Sequence, residues 1–260
     1  MVTPTAVRVW ESELTAYKPI WKSAVFGTVL QPLLYLLGMG LGVGALVDQG
    51  PESSEILAGT SYFAFLAPAL LATTAMMTGG STSLWQVLDG FLWGNRYRAM
   101  AATTLSPADV ATGMGLWHAT RIAIGVIGVA LALLLFDETR SVGLLVAIPT
   151  AVLTGLAFAM PMTAWSATRE GDASFPAVLR FVLIPMFLFG GAFYPIEQLP
   201  GWLQPIAVAT PLWHGVEVCR DAVVGDLQLS GAAVHVAVLV AFVVVGWAAA
   251  VLAFSRRLHT

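Results

Sequence analysis

AAVHVAVLVAFVVVGWAAAVLAF, residues 232–254, holds no Asp, Glu, Lys or Arg. A helix of that length extends about 34 Å, enough to cross a hydrocarbon layer of about 30 Å. In lipid the backbone must satisfy its own hydrogen bonds, so a run of this kind crosses as a helix. Working outward from it, five more apolar stretches recur, near Ser23–Val47, Gly59–Thr78, Pro107–Phe136, Val142–Ala167 and Pro176–Tyr194. The whole chain has 12 basic and 15 acidic residues among 260, and 58% are hydrophobic. A water-soluble domain of this size carries roughly a quarter charged residues. The expected fold is therefore all-α: a polytopic membrane protein with six transmembrane helices in one domain, residues 1–260.

Residues 4–22 read as an amphipathic helix lying in the membrane interface. Val7, Trp10, Leu14, Tyr17 and Trp21 share one face, and Arg8, Glu11, Ser12, Thr15, Lys18 and Lys22 lie on the other. The alternative is that this face packs on another segment of protein. The same residues contain no continuous apolar core of a cleavable signal. Placing the N-terminus in the cytoplasm puts nine Lys/Arg inside: Arg8, Lys18, Lys22, Arg96, Arg98, Arg169, Arg180, Arg256 and Arg257. Two remain outside, Arg140 and Arg220, with Arg121 inside the third span. The positive-inside rule then predicts both termini in the cytoplasm. Acidic residues follow the first span at Asp48, Glu52 and Glu55.

Several local features stand out. Gly38, Gly40, Gly42 and Gly44 make two overlapping GxxxG pairs in the first span, suited to close helix approach at a dimer interface or within the bundle. Gln31 and Tyr35 are polar points on the same span and candidates for lining a translocation path. Phe187, Phe193 and Tyr194 of the fifth span suit an aromatic lining of a translocation path, with packing as the simpler role. Pro195, Pro200, Pro205 and Pro211 interrupt an otherwise apolar segment, which fits short broken helices dipping into the outer leaflet over residues 190–215. Arg121 sits within the third span, where a guanidinium must face protein or water. It can brace the bundle, snorkel to the interface or touch an anionic substrate group.

Much chemistry is absent. No glycine-rich loop precedes Lys18 or Lys22, so the chain has no Walker A loop. His118, His214, His235 and His259 have no metal-ligand spacing, no nucleophile elbow is present, and the single Cys219 permits no intrachain disulfide. Intramembrane carboxylates are too scarce for an evident proton relay. A catalytic, cofactor-binding or metal site is not expected on this chain, nor is a nucleic-acid partner.

Two stretches carry a resemblance: LDGFLWGNRYRAMAATTLSPADVATGMGLWHATR (88–121) and FGGAFYPIEQLPGWLQPIAVATPLWHGVEVCRDAVVG (189–225). With six spans and an N-terminal amphipathic helix, the chain resembles ABC-2 type permeases, in the branch of nodulation-factor and lipooligosaccharide exporters. Daunorubicin-type drug permeases are also similar. The resemblance implies a dimer of permeases, either two copies or a homologous pair, with two copies of a separate ATPase that holds ATP and Mg. It implies an ATP-driven exporter in the cytoplasmic (inner) membrane, moving an amphiphile such as a glycolipid, a lipid-linked saccharide or a hydrophobic drug. It implies that residues 80–106 form a cytoplasmic coupling segment, with Arg96, Tyr97, Arg98, Met100, Thr103, Leu105 and Ser106 docking on the ATPase. The family reads Thr-Pro-Leu where this chain has Thr103-Thr104-Leu105. The competing expectation is an ion- or proton-coupled secondary transporter.

Overall fold

A computed structural model describes residues 5–50, 57 and 59–258. Pro4, Glu52, Glu55 and His259 lie outside the described residues. The helices are α1 (Thr5–Tyr17), α2 (Trp21–Val47), α3 (Tyr62–Leu92), α4 (Arg96–Ala101), α5 (Pro107–Leu133), α6 (Leu144–Ser166), α7 (Phe175–Phe189), α8 (Gln204–Val208), α9 (Pro211–Val224) and α10 (Leu229–Leu258). No strand occurs among the described residues. Five of these helices, α2, α3, α5, α6 and α10, are long and apolar enough to cross a membrane.

The bundle is organised around α3. Its 31 residues extend about 46 Å, and it is buried over most of its length against α5, α6 and α9. Its start is fixed by Ser61, whose hydroxyl accepts the Ala64 N–H at 3.1 Å. It crosses α6 where two glycines meet: a Cβ on Gly79 would lie 2.3 Å from the Gly155 carbonyl oxygen. Bare backbone on both sides lets the two helices touch. Below that crossing the Ser166 hydroxyl donates to the Leu84 carbonyl at 2.6 Å. At one end of the bundle Val9 and Tyr17 of α1 share an apolar cluster with Phe91, Tyr97 and Met114, and Phe254 of α10 joins it. The first and last described helices, α1 and α10, therefore meet at one end of the bundle.

Three expected segments take a different form. The second span was expected to stop near Thr78, but α3 continues to Leu92. Thr78, Ser81, Thr82, Ser83 and Gln86 suggest a loop by their polarity, yet they are helical; the Thr82 hydroxyl, for one, donates to the Thr78 carbonyl at 2.6 Å. Most of the expected segment 80–106 is thus helix, and the connection itself spans Trp93–Ser106. Where the fifth of six spans was expected, the described residues hold the short α7, of about 22 Å, which is below membrane length and is interrupted by a π-turn at Leu179–Leu183. It ends at Phe189, and Gly191 then takes a φ of 79° before Pro195. The broken outer segment holds a 3-10 turn at Ile196–Gln198 and α8, but Pro211 starts α9, which runs to Val224, beyond the expected limit at 215.

The N-terminal helix is amphipathic but ends at Tyr17; Trp21 of the expected apolar face begins α2 and is half exposed, Val9 and Glu13 are buried with Tyr17, and Arg8, Glu11, Ser12, Thr15 and Lys18 are exposed. Its other face packs along the first turns of α5. The Trp10 indole N–H donates to Thr120 Oγ1 at 2.9 Å, and Tyr17 meets Trp117 edge-on at 5.3 Å. The start of α5 is a capping box. Asp109 N–H bonds Ser106 Oγ at 3.1 Å, the Ser106 N–H bonds Asp109 Oδ2 at 2.9 Å, and Pro107 fills the first turn. Thr5 adds its hydroxyl to Asp109 Oδ1, which ties α1 to that cap. This helix thus packs on α5.

The glycine ladder divides between two faces. A Cβ on Gly40 would meet the Phe63 ring at 2.9 Å, and one on Gly44 the Tyr62 ring at 3.4 Å, so this pair packs within the chain on α3. Gly38 and Gly42 are exposed, with at most a contact at 4.0 Å, and only they remain available to a second chain. Gly40→Leu should therefore lower the unfolding midpoint of the purified chain, by about 1–3 kcal/mol of overpacking. Gly42→Leu should leave that midpoint unchanged and reduce any dimer seen by size-exclusion light scattering. Equal thermal losses in the two variants would contradict the division.

Candidate functional site

A cavity of about 350 Å³ opens between α2, α3 and α7. Thr73, Thr74, Thr78, Ser81 and Thr82 of α3 supply hydroxyls, Ser23, Thr28 and Gln31 of α2 face them, and Leu70, Met77 and Phe187 supply apolar wall. Thr74, Thr78 and Thr82 recur every four residues, so they share one face of α3. The Thr74 hydroxyl is buried without a hydrogen-bond partner among the described residues. Three of the expected path residues, Gln31, Tyr35 and Phe187, line this cavity. Phe193 joins them through its ring, 4.9 Å from Phe187 and 6.3 Å from Tyr35, and Tyr35 meets Phe187 at 5.7 Å. These three rings close the end of the cavity away from the chain termini. Tyr194 packs half-buried beside the core and is not part of the lining.

A second cavity, of about 510 Å³, adjoins the first and shares Ser81 and Thr82 with it. Its walls come from α1 (Glu13, Tyr17), α3 (Trp85, Gln86, Asp89), α4 (Arg96) and α5 (Trp117, Arg121). Glu13 is 1% exposed, which an ionised carboxylate tolerates only when paired. Arg96 pairs with it at 3.1 Å and with Asp89 at 2.8 Å, while Gln86 Nε2 donates to Glu13 Oε2 at 2.8 Å. Arg121 stands over the Tyr17 ring at 5.4 Å. His118, one turn earlier, points instead to α6, where Nε2 lies 3.2 Å from Thr163 Oγ1.

The connection between α3 and α5 sorts the expected docking residues into two groups. Arg96 and Tyr97 turn inward. Tyr97 is fully buried between Phe91, at 4.8 Å, and Phe254, at 5.2 Å, with its hydroxyl on Met114 Sδ at 3.2 Å. Burial raises the Tyr97 hydroxyl well above the usual tyrosine range. A ring with no exposed surface presents nothing to a partner. Met100 and Leu105 are half-buried on the same cluster. Arg98, Thr103 and Ser106 are exposed, together with Trp93, Asn95, Ala99 and Ala102. Trp93 is 64% exposed and was not singled out by the sequence reading. Asn95 takes the left-handed conformation, φ 48°, which lets the chain reverse after α3. Where the related pattern has proline, the turn is held by Thr103, whose hydroxyl donates to the Met100 carbonyl at 2.6 Å.

At the opposite end, Arg220 of α9 fixes the broken segment. It donates to the Gly191 carbonyl at 2.6 Å, the Phe65 carbonyl at 3.3 Å and Glu217 at 2.8 Å, and stacks on the Phe65 ring at 3.7 Å. Burial raises the Glu217 carboxyl above its ordinary value, and the neighbouring Arg220 limits the rise. Cys219 is buried against the Ala147 carbonyl, and burial pushes its thiol up to about 12, so it is packing and not a nucleophile. His214 and His235 bring their Nδ1 atoms to 2.7 Å, and no group of three or more metal-ligating side chains forms among the described residues.

Comparison with known proteins adds identity to this geometry. Residues 7–224 match the sequence model of the ABC-2 type transporter family. Nodulation protein J of Rhizobium leguminosarum bv. viciae is 30% identical over 96% of this chain and 93% of its own length. The Nodulation protein J of Rhizobium meliloti (strain 1021) is 29% identical over 97% and 93%. The inner membrane transport permease YadH of Escherichia coli (strain K12) is 23% identical over 92% and 91%. A match over most of the chain, on a helical bundle with five membrane-length helices and a cleft between them, places this protein in the ABC-2 type transporter family as a membrane-spanning transporter subunit.

Proposed function

We propose that the chain is the permease of an ATP-driven exporter, and that the cleft between α2, α3 and α7 is the path of an amphiphilic substrate. The supporting observation is the cleft itself. A stripe of hydroxyls from α3 faces apolar and aromatic wall, which suits a molecule with a polar, sugar-like part and an acyl or polycyclic part. The aromatic cluster of Tyr35, Phe187 and Phe193 is its outer gate. ATP and Mg bind a separate ATPase, two copies per complex, and this chain supplies motion, not hydrolysis. The exposed end of the α3–α5 connection, with Trp93, Arg98 and Thr103, is the face that meets it. A second permease, the same chain or a homologue, covers the exposed Gly38/Gly42 face of α2. The family membership gives no support to ion- or proton-coupled transport.

Gln31→Trp tests the path. Gln31 is exposed at the cavity wall, so an indole there fills space without disturbing the core. Uptake of a labelled amphiphile into inverted vesicles should fall at least about tenfold, which corresponds to a barrier increase of about 1.4 kcal/mol. Unchanged uptake by that variant would move the path elsewhere.

Orientation follows the same reading: both termini are cytoplasmic, in the inner membrane of the cell. Asp48 and Glu197 are exposed at the other end, and Cys219 is buried. Asp48→Cys and Glu197→Cys should therefore react with a membrane-impermeant maleimide on intact spheroplasts. Reaction only after lysis would reverse the orientation.

A further inference from the structure

We infer that Arg121 is the anion-binding residue of the second cavity, and that this cavity holds the phosphate or sulfate of an amphiphile whose remaining body lies in the first. The inference deepens the proposed transport role by naming the chemistry of the polar end. Its geometry does not depend on transport.

Charge accounting carries the argument. Four charged side chains line the cavity. The two carboxylates, Glu13 and Asp89, are both held by Arg96, at 3.1 and 2.8 Å. Arg121 pairs with no carboxylate among the described residues, and its contact is the Tyr17 ring at 5.4 Å. It lies about 21 Å along α5 from Pro107, inside a membrane-length helix. A single ring contact does not satisfy a guanidinium that lines a cavity within a membrane-length helix. An anion would, and guanidinium geometry favours phosphate or sulfate through paired N–H donors.

A second, independent observation points to the same place. Three buried polar atoms without a hydrogen-bond partner belong to residues lining this cavity: Glu13 Oε1, which Arg96 pairs at 3.1 Å, and Trp117 Nε1 and Gln86 Oε1. Trp117 Nε1 is a donor that an anionic oxygen satisfies, and Gln86 Oε1 an acceptor that a ligand hydroxyl satisfies. Trp85, Tyr17 and Trp117 give the walls ring surface. A cation, an unmatched donor, an unmatched acceptor and aromatic wall together fit a phosphorylated or sulfated saccharide headgroup. Shared residues Ser81 and Thr82 lead from there to the hydroxyl-lined cavity.

Native mass spectrometry of the purified chain in neutral maltoside micelles tests this, with dodecyl phosphate and dodecyl glucoside as probes. The wild type should retain dodecyl phosphate at a concentration at least tenfold below that needed by Arg121→Gln. Arg121→Lys should fall between them, and all three should bind dodecyl glucoside alike. Two further outcomes separate the sources of the anion, and both support the site. A phospholipid carried through purification by the wild type and lost from Arg121→Gln identifies the bilayer, and an initially empty wild type identifies a mobile cargo. Equal retention of dodecyl phosphate by the wild type and a folded Arg121→Gln overturns the inference. Should that variant not fold, the wild type decides alone: no preference for phosphate over glucoside overturns it. No ATPase or transport enters the assay, so its failure leaves the transport reading standing, and failure of the transport reading leaves this site standing.

Discussion

Gly79→Leu should yield no folded protein. Even the first side-chain carbon would lie 2.3 Å from the Gly155 carbonyl oxygen and 3.1 Å from the Ile122 side chain. The obstacle is helix backbone, which cannot rotate aside, so α3 and α6 must separate. Overpacking against movable side chains costs about 1–3 kcal/mol, and the cost here should exceed the upper end. Marginal stability of roughly 5–15 kcal/mol does not absorb that together with the lost packing along the rest of the crossing. Gly231→Leu is the control, because nothing lies within 4 Å of a Cβ there. Fluorescence-detected size exclusion should show a monodisperse peak for Gly231→Leu and aggregate for Gly79→Leu. A normal peak and melting curve for Gly79→Leu would show that the close crossing is not required.

Arg96→Glu and Arg98→Glu should fail in different ways, although the residues lie two apart. Arg96 neutralises the buried Glu13 and also holds Asp89. Reversing it places three carboxylates around one cavity and leaves Glu13 unpaired. Removing one partner of a buried ion pair costs about 3–5 kcal/mol, and the lower end applies because Arg96 is 27% exposed. Arg96→Glu should therefore lose stability in a thermal scan before any question of partner binding arises. Arg98 is exposed, and a change there should leave the melting curve within about 0.5 kcal/mol of wild type. Co-purification of the ATPase should fall severalfold with Arg98→Glu, through new like-charge repulsion at the contact. A stable Arg96→Glu protein, or full ATPase capture by Arg98→Glu, would contradict one half of this contrast.

Composition and apolar periodicity were enough to read the helical membrane fold, because lipid leaves so few ways to satisfy a backbone. The resemblance in residues 88–121 and 189–225 was enough to read the family. What the sequence hid was mostly a matter of facing. Thr78, Ser81, Thr82 and Gln86 look like the approach to a loop, yet they are the polar lining of a helix running to Leu92. The four-residue recurrence of Thr74, Thr78 and Thr82 was the available signal. Glu13 shares a segment with exposed charges, and only the fold shows that it turns inward to Arg96. GxxxG spacing marks two glycine pairs on α2 but does not say which meets α3 and which faces outward. The Gly79–Gly155 crossing had no local signature at all, since its two halves lie far apart in sequence. Tyr97 was assigned to docking through the resemblance of its whole segment, which does not say which side chains turn inward, and its ring lies buried between Phe91 and Phe254.

The central claim is that ATP hydrolysis on a separate subunit drives an amphiphile through the cleft of this chain. Its most direct test is the ATPase rate of the complete complex in proteoliposomes, measured with and without a candidate glycolipid. Hydrolysis should rise severalfold with the glycolipid for wild type, and Gln31→Trp should hydrolyse at the basal rate while losing that rise. Equal stimulation of wild type and Gln31→Trp would contradict the claim that the substrate passes between α2, α3 and α7.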